Sequence, residues 1–397
     1  MNPLLLSHFT VTSSIGCGLE ETLNALRKRT TGLLQCDFDT VDFDTYTGAV
    51  SGVEDEKIPL ELHDFECRNN KLAQLGLRQD GFSSAVEAAI ARLGRDRIGV
   101  FLGTSTSGIF QAELAYRRRD PVTGLLPPDF IYGTTQNSFS VSDYVRHYFS
   151  LTGPAMVVST ACSSSAKVFG SAYRMIKGGL IDAAIVGGVD SLCLTTLYGF
   201  NSLGLVSTHP CRPFDVDRNG ISIGEAAAFI LLERASSESN PDDILLLGFG
   251  ESSDAYHMSS PHPEGLGASL AMKKALSSAE LAPDEIDYIN LHGTATPSND
   301  AAEGIATARL FDATVPCSST KGATGHTLGA AGGLEAVISA LAVRENFMPG
   351  GVPGTRLDPS IGIDYLTENR EHVVSRVLSN SFGFGGTNCS LILGQLA

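Results

Sequence analysis

Residues 155–178 read AMVVSTACSSSAKVFGSAYRMIKG, and the order of features in this stretch decides the fold. An apolar run over 155–158 predicts a short buried strand, and Val168, Ala172, Met175 and Ile176 then recur at helical spacing. Between them lies a turn of small residues carrying Cys162. Strand, turn and helix in that order is the building unit of an α/β protein, and it places Cys162 at a helix N-terminus. A free thiol titrates near ~8.5, and the unpaired N–H groups and dipole at a helix start predict a lower value here. The same N–H groups can hold an oxyanion. Cysteine is also a common inert core residue, but the setting STACSSS over 159–165 points to a nucleophile.

Working outward, 397 residues give room for two or three average domains or for one duplicated domain. The 42 glycines and 18% charged residues suit a tightly packed α/β enzyme. No apolar run approaches the roughly 18 residues needed to cross a bilayer, and the start MNPLLLSHFT has no basic region followed by a cleavable apolar core. These features predict a cytoplasmic protein without membrane insertion. Eight cysteines, at 17, 36, 67, 162, 193, 211, 317 and 389, form no C-x-x-C pair, which argues against a zinc site or a disulfide scaffold. A formal net charge of −16 disfavours nucleic acid as a partner.

Along the chain, Gly16 and Gly18 read as a turn before an amphipathic helix near 20–29. Their G-x-G lacks the third glycine and the later acidic residue of a dinucleotide site. Residues 51–80 read as polar and irregular, 84–93 as a helix and 97–103 (RIGVFLG) as a buried strand followed by a Gly-Thr-Ser-Thr-Ser-Gly loop. Helices are expected over 111–119, ending in Arg117, Arg118 and Arg119, and over 137–150. Further strands follow at 182–190 (DAAIVGGVD) and 226–233 (AAAFILLE), with the excursion 198–224 between them of the kind that walls an active site. The segment 236–243 (SSESNPDD) is the linker candidate and divides the chain into halves 1–240 and 241–397. The second half repeats the alternation, with strands at 244–248, 287–291 and 315–319, helices at 268–276 and up to about 344, and two closing strands around 383–386. Strands alternating with helices in both halves, each with a polar loop after a strand, predict a pseudo-duplicated α/β fold with its site at the junction.

Three further stretches carry chemistry: His292-Gly-Thr-Ala-Thr-Pro-Ser-Asn-Asp300, the run from Ser318 through Lys321 and His326 to Glu335, and Asn380-Ser-Phe-Gly-Phe-Gly-Gly-Thr-Asn388. Two neutral imidazoles can donate to a developing enolate or thioester oxygen, with Lys321 fixing their orientation and charge state. Glu335 is placed to pair with that lysine, as a buried lysine requires. With these four motifs in this order, nearly the whole chain resembles the β-ketoacyl–acyl carrier protein synthases, the elongating condensing enzymes of the thiolase superfamily. The resemblance implies the five-layered αβαβα thiolase fold and Cys162 as the acyl-accepting nucleophile. It implies that His292 and His326 promote malonyl decarboxylation and stabilise the enolate, with Lys321 and Glu335 as their supporting ion pair. Thr294 and Thr296 would bind the phosphopantetheine arm. The N–H groups of Cys162 and Phe384 would form the oxyanion hole, Phe384 would gate the pocket, and Thr106 and Phe200 would shape the acyl pocket, Thr106 in the partner subunit. No metal or redox cofactor is implied. The expected partners are an acyl carrier protein and a second copy of the chain, or a homologous chain-length factor in its place.

Several positions depart from the housekeeping members. The first strand lacks the valine-rich Thr-Gly opening, the 121–133 loop has no basic residue, and Gly204 stands where some members have arginine. Arg68, Lys71 and Arg117 to Arg119 remain as candidate contacts for an acidic carrier. A ketosynthase dedicated to a type II polyketide or aryl-polyene pathway therefore stands beside fatty-acid elongation. A non-catalytic chain-length subunit would lack the nucleophile, and a thiolase would place a second cysteine in a C-x-G; Cys389, which follows Gly-Gly-Thr-Asn, reads as packing.

Overall fold

The strand, turn and helix expected over 155–178 are present as a strand at Ala155–Val158 and a helix at Ser164–Lys177. The computed structural model describes residues 1–235, 240 and 242–396, so much of the 236–243 linker candidate lies outside the described residues. Ten strands carry the architecture: β1 (Leu4–Ser13), β2 (Ile98–Gly103), β3 (Ala155–Val158), β4 (Ala183–Asp190), β5 (Ala226–Arg234), β6 (Leu245–Ser253), β7 (Tyr288–Asn290), β8 (Cys317–Ser318), β9 (Arg376–Gly383) and β10 (Thr387–Gly394). Side by side they run β8-β7-β9-β10-β6-β1-β5-β4-β2-β3. From either end the order reads the same way. Three parallel strands (β3, β2, β4 or β8, β7, β9) are followed by an antiparallel strand (β5 or β10) and then by β1 or β6. The two groups meet where Leu4 and Leu5 of β1 pair with Leu246 and Leu245 of β6.

Helices complete five layers, αβαβα. The helix Arg68–Leu77 packs on β5 and β1, and Ser140–Tyr148 on β2 and β3. Ser164–Lys177 and Ala331–Glu345 lie against each other between the two strand groups, while Leu266–Ala279 covers β6 and β10. Small residues let the two central helices approach. A Cβ on Gly332 would lie 2.7 Å from the Ala166 Cβ. The apolar core is partitioned accordingly, with one cluster around the central helices and one under each outer layer. No helix among the described residues is long and apolar enough to cross a membrane.

Two expectations are corrected. Residues 51–80 contain the helix Arg68–Leu77, whose polar residues Arg68, Asn69, Asn70 and Gln74 are buried. They hide from a reading based on apolar periodicity because the buried face is polar, with hydrogen bonds compensating three of the four: Arg68 donates to Glu225, Asn70 to the Phe65 carbonyl, and Gln74 accepts from Tyr144. The strand β3 is not fully buried: it forms the sheet edge and leaves Met156 42% exposed.

Candidate active site

The turn that presents Cys162 is held under backbone strain. Ala161, the residue before it, has φ +50°, a left-handed conformation that a non-glycine residue keeps only when its surroundings impose it. Here Ser164 supplies the restraint, accepting from the Thr160 N–H at 2.8 Å and donating to the Ala161 carbonyl at 2.6 Å. The Thr387 hydroxyl donates to the Thr160 carbonyl at 3.0 Å and ties the turn to the closing loop. Cys162 thus precedes the helix by two residues, and its side chain projects into a cavity lined by His292, His326, Thr294, Thr296, Phe200, Phe384 and Asn388 among others.

His326 Nε2 lies 3.0 Å from the Cys162 Sγ. The His326 backbone is fixed on both sides, its N–H donating to the Ser222 carbonyl at 2.7 Å and its carbonyl accepting from Gly224 at 3.0 Å. The His292 ring stands nearly perpendicular to it, with centroids 5.3 Å apart. Lys321 Nζ donates to the His292 carbonyl at 2.6 Å, sits 3.3 Å from His292 Nδ1 and pairs with Glu335. An ammonium has no lone pair, so His292 Nδ1 must accept and its proton resides on Nε2. Lysine and glutamate are each 1% exposed. Burial raises the Glu335 carboxyl, and the Lys321 charge pulls it back.

The expected low-titrating thiolate is not found. Burial pushes the Cys162 thiol up to about 12, against the lowering pull of Lys321 and of the Phe384 N–H. Burial first, then Lys321, likewise hold both imidazoles well below 6.5. At rest the pair is a neutral thiol beside a neutral imidazole. A helix-start dipole is worth ~0.3–2 kcal/mol, and removing a thiolate from water outweighs it here.

The remaining sequence candidates sort as follows. Thr294 and Thr296 are buried in the cavity wall with their hydroxyls 2.8 Å apart. The Phe384 N–H points at the Cys162 sulfur, as an oxyanion-hole donor would, and the Phe384 ring packs 5.5 Å from Phe200. Leu205 and Ile221, from the 198–224 excursion, also line the cavity. Thr106 does not line this cavity; it is buried and hydrogen-bonded to Asp190. Arg68 is corrected as a carrier contact, because it is buried, paired with Glu225 and Glu54, and stacked 5.4 Å from the Phe38 ring. Arg117 and Arg118 are exposed but paired with Asp39 and Asp129, and Lys71 with Glu66. Cys389 is buried in β10, as packing.

Two carboxylates had no role assigned from the sequence, Asp300 at the end of the His292 stretch and Glu303 just beyond it. Glu303 accepts the N–H groups of His292 and Gly293, each at 2.8 Å, and Asp300 accepts those of Thr294 at 3.0 Å and Phe214 at 2.8 Å. Their spacing of three on the helix Pro297–Phe311 puts both on the face toward the histidine loop, which is the signal that could have found them. As metal donors, Cys162, His292 and His326 offer a sulfur and two ring nitrogens within 4.8 Å of one another. The Lys321 ammonium beside His292 opposes a dication there.

Comparison with known proteins bears on this geometry. Residues 77–238 match the family model described as Beta-ketoacyl synthase, N-terminal domain, and residues 245–354 that described as Beta-ketoacyl synthase, C-terminal domain. The chain is 35% identical over 379 residues to a 3-oxoacyl-[acyl-carrier-protein] synthase 2 of Coxiella burnetii, covering 90% of each. It is 38% identical over 315 residues to the protein of that name in Rhizobium meliloti, covering 74% of this chain and 73% of the other. Among solved structures, a ketosynthase (ApeO) in complex with its chain length factor (ApeC) from Xenorhabdus doucetiae superposes with a TM-score of 0.89 at 38% identity, covering 100% of this chain and 98% of that one.

Proposed function

The chain belongs to the β-ketoacyl synthase family, and on that premise we propose how its site carries out the family's acyl transfer, a decarboxylative Claisen condensation between an acyl chain on Cys162 and a malonyl group delivered by an acyl carrier protein. The observation that carries this reading is the convergence of a thiol and two neutral imidazoles in one cavity, with a buried lysine against His292.

In the first half-reaction the Cys162 proton passes to His326 Nε2 as the sulfur attacks the incoming acyl thioester. The Phe384 and Cys162 N–H groups hold the oxyanion, and the carrier thiolate leaves with the proton from His326. In the second, malonyl carrier enters past Thr294 and Thr296, whose hydroxyls suit the amides of a pantetheine arm. Carbon dioxide departs, and the enolate oxygen accepts from His292, locked as the Nε2–H tautomer by Lys321, and from His326 once its proton has exchanged with solvent from Nδ1 to Nε2. The enolate carbon attacks the acyl carbonyl, the C–S bond to Cys162 breaks, and solvent returns the thiol proton. Imidazoles that resist protonation are suited to donation without becoming acids that would quench the carbanion. The cycle draws no step from a metal or redox group.

The edge strand β3, with Met156 exposed, offers a second chain a place to extend the sheet. A homodimer in the cytoplasm is the reading for fatty-acid elongation. The 38% identity over the whole chain to a ketosynthase solved with a chain length factor favours a second reading, a specialised polyketide-type pathway in which that partner is a homologue.

Product masses from malonyl carrier and a panel of acyl carriers, beside a Cys162→Ala control, separate these readings. Two-carbon extension of saturated primers by the chain alone supports elongation. Extension confined to polyunsaturated primers, or dependent on an added homologue, supports the second. With neither extension nor an acyl mass on Cys162, the condensation assignment fails.

A further inference from the structure

At the end of β4 the Asp190 carboxylate is fully buried, and no lysine, arginine or histidine among the described residues forms an ion pair with it. Hydrogen bonds alone compensate its charge. Six groups donate to it: the Thr104 hydroxyl at 2.6 Å, the Ser105 N–H at 2.8 Å and its hydroxyl, the Thr106 N–H and hydroxyl at 2.9 Å each, and the Gly329 N–H at 2.6 Å. Five come from the loop after β2. The sixth comes from the third residue beyond His326.

The segment between His326 and Gly329 is strained. Leu328 has φ +52°, which a leucine adopts only under restraint. On its N-terminal side the segment is held by the strand-like bonds of His326 to Ser222 and Gly224. On the other side the restraint is Asp190. Contact there is tight, since a Cβ on Gly329 would lie 2.7 Å from the Asp190 Oδ2 and 2.7 Å from the Ser105 nitrogen. Three backbone N–H groups converge on the two carboxylate oxygens. An asparagine of the same shape would turn a donor toward at least one of them.

We propose that Asp190 is the positioning residue for His326, the anchor that holds residues 326–329 in the arrangement that brings the imidazole onto the Cys162 sulfur. The role assigned to His326 in decarboxylation rests on the function proposed above; the anchoring itself does not. Without the carboxylate, the buried N–H of Gly329 loses its shorter acceptor and keeps only the Ser105 hydroxyl at 3.2 Å, the left-handed Leu328 relaxes, and the ring shifts away from the thiol.

The test uses D190N and G329A, the second pressing on the carboxylate without removing it. Each is expected to keep the wild-type circular dichroism spectrum. In each, kcat for malonyl-carrier decarboxylation should fall about 100-fold, the usual consequence of a misplacement near 1 Å, with KM within about 2-fold because the carrier contacts are untouched. Alkylation of Cys162 by iodoacetamide reads the His326–Cys162 contact without any substrate. Both variants should change its rate as H326N does, and D190N should add nothing in the H326N background. A folded D190N with wild-type kcat, or an alkylation change additive with H326N, overturns the proposal. If D190N does not fold, G329A decides by the same readings. A wild-type protein that does not decarboxylate malonyl carrier would sink the functional reading and leave the alkylation arm to decide the anchor.

Discussion

Replacing Lys321 by methionine removes one charge of the buried pair while keeping most of the stem volume. Glu335 then stays 1% exposed, without its cation. Removing one partner of a buried pair costs about 3–5 kcal/mol, whereas replacing both by apolar groups is close to neutral. The loss depends on pH with a definite sign. Burial already holds the folded-state carboxyl above its ordinary 4.5, and losing Lys321 raises it further. A carboxyl raised in the folded state contributes stability that is fully present below its unfolded value and lost as the pH rises through the folded value. K321M should therefore be hurt more at about pH 8 than at about pH 6, by up to about 1.4 kcal/mol per pH unit while the carboxyl titrates. The double variant K321M/E335L has no carboxyl to ionise and should recover to within about 1 kcal/mol of wild type at both pH values. Urea unfolding followed by far-ultraviolet circular dichroism is the assay, since the chain has no tryptophan. Both variants should lose malonyl decarboxylation, because His292 loses its donor in each. If the double variant is as unstable as the single one, or the K321M penalty is equal at the two pH values, an unpaired Glu335 carboxylate is not the origin of the cost.

Two other measurements follow from the site and its surroundings. With its thiol held up to about 12, Cys162 should react with iodoacetamide at a rate that climbs about tenfold per pH unit through neutrality, and a plateau below about pH 8 would show a thiolate already formed. Arg119, exposed and without an ion pair among the described residues while Arg117 and Arg118 are paired, is the remaining arginine of that cluster for an acidic carrier. R119E should raise KM for the carrier roughly 3- to 10-fold at low salt with kcat unchanged, and an unaltered KM would remove this surface from the docking path.

The architecture was legible because its signals are local. Apolar runs such as 226–233 and 182–190 appear as β5 and β4, and small-residue loops after strands mark where the chain turns toward a site. The four motifs likewise converge on one cavity. What escaped the reading depends on contacts made far along the chain. Arg68 looks like a surface cation until Glu225, 157 residues later, accepts its guanidinium at 3.0 Å. The helix containing it looks irregular because its buried face is polar. Strand β3 has the composition of a buried strand, and only the order of strands puts it at an edge.

The thiol shows the same division between local and global physics. Its place before a helix is a local fact, correctly read, and it predicts an anion. Its solvation depends on the whole fold, because β9, β10 and the loops carrying His292 and His326 must close over it before water is excluded. Once they do, a stable thiolate is the wrong resting state for this site. A neutral thiol 3.0 Å from a neutral imidazole needs no counter-charge where both are buried, and the proton moves only as the sulfur attacks. Lys321, behind His292, is paired with Glu335. Its lasting effect is therefore directional: by forcing His292 Nδ1 to accept, it leaves Nε2–H to face the oxygen on which charge develops.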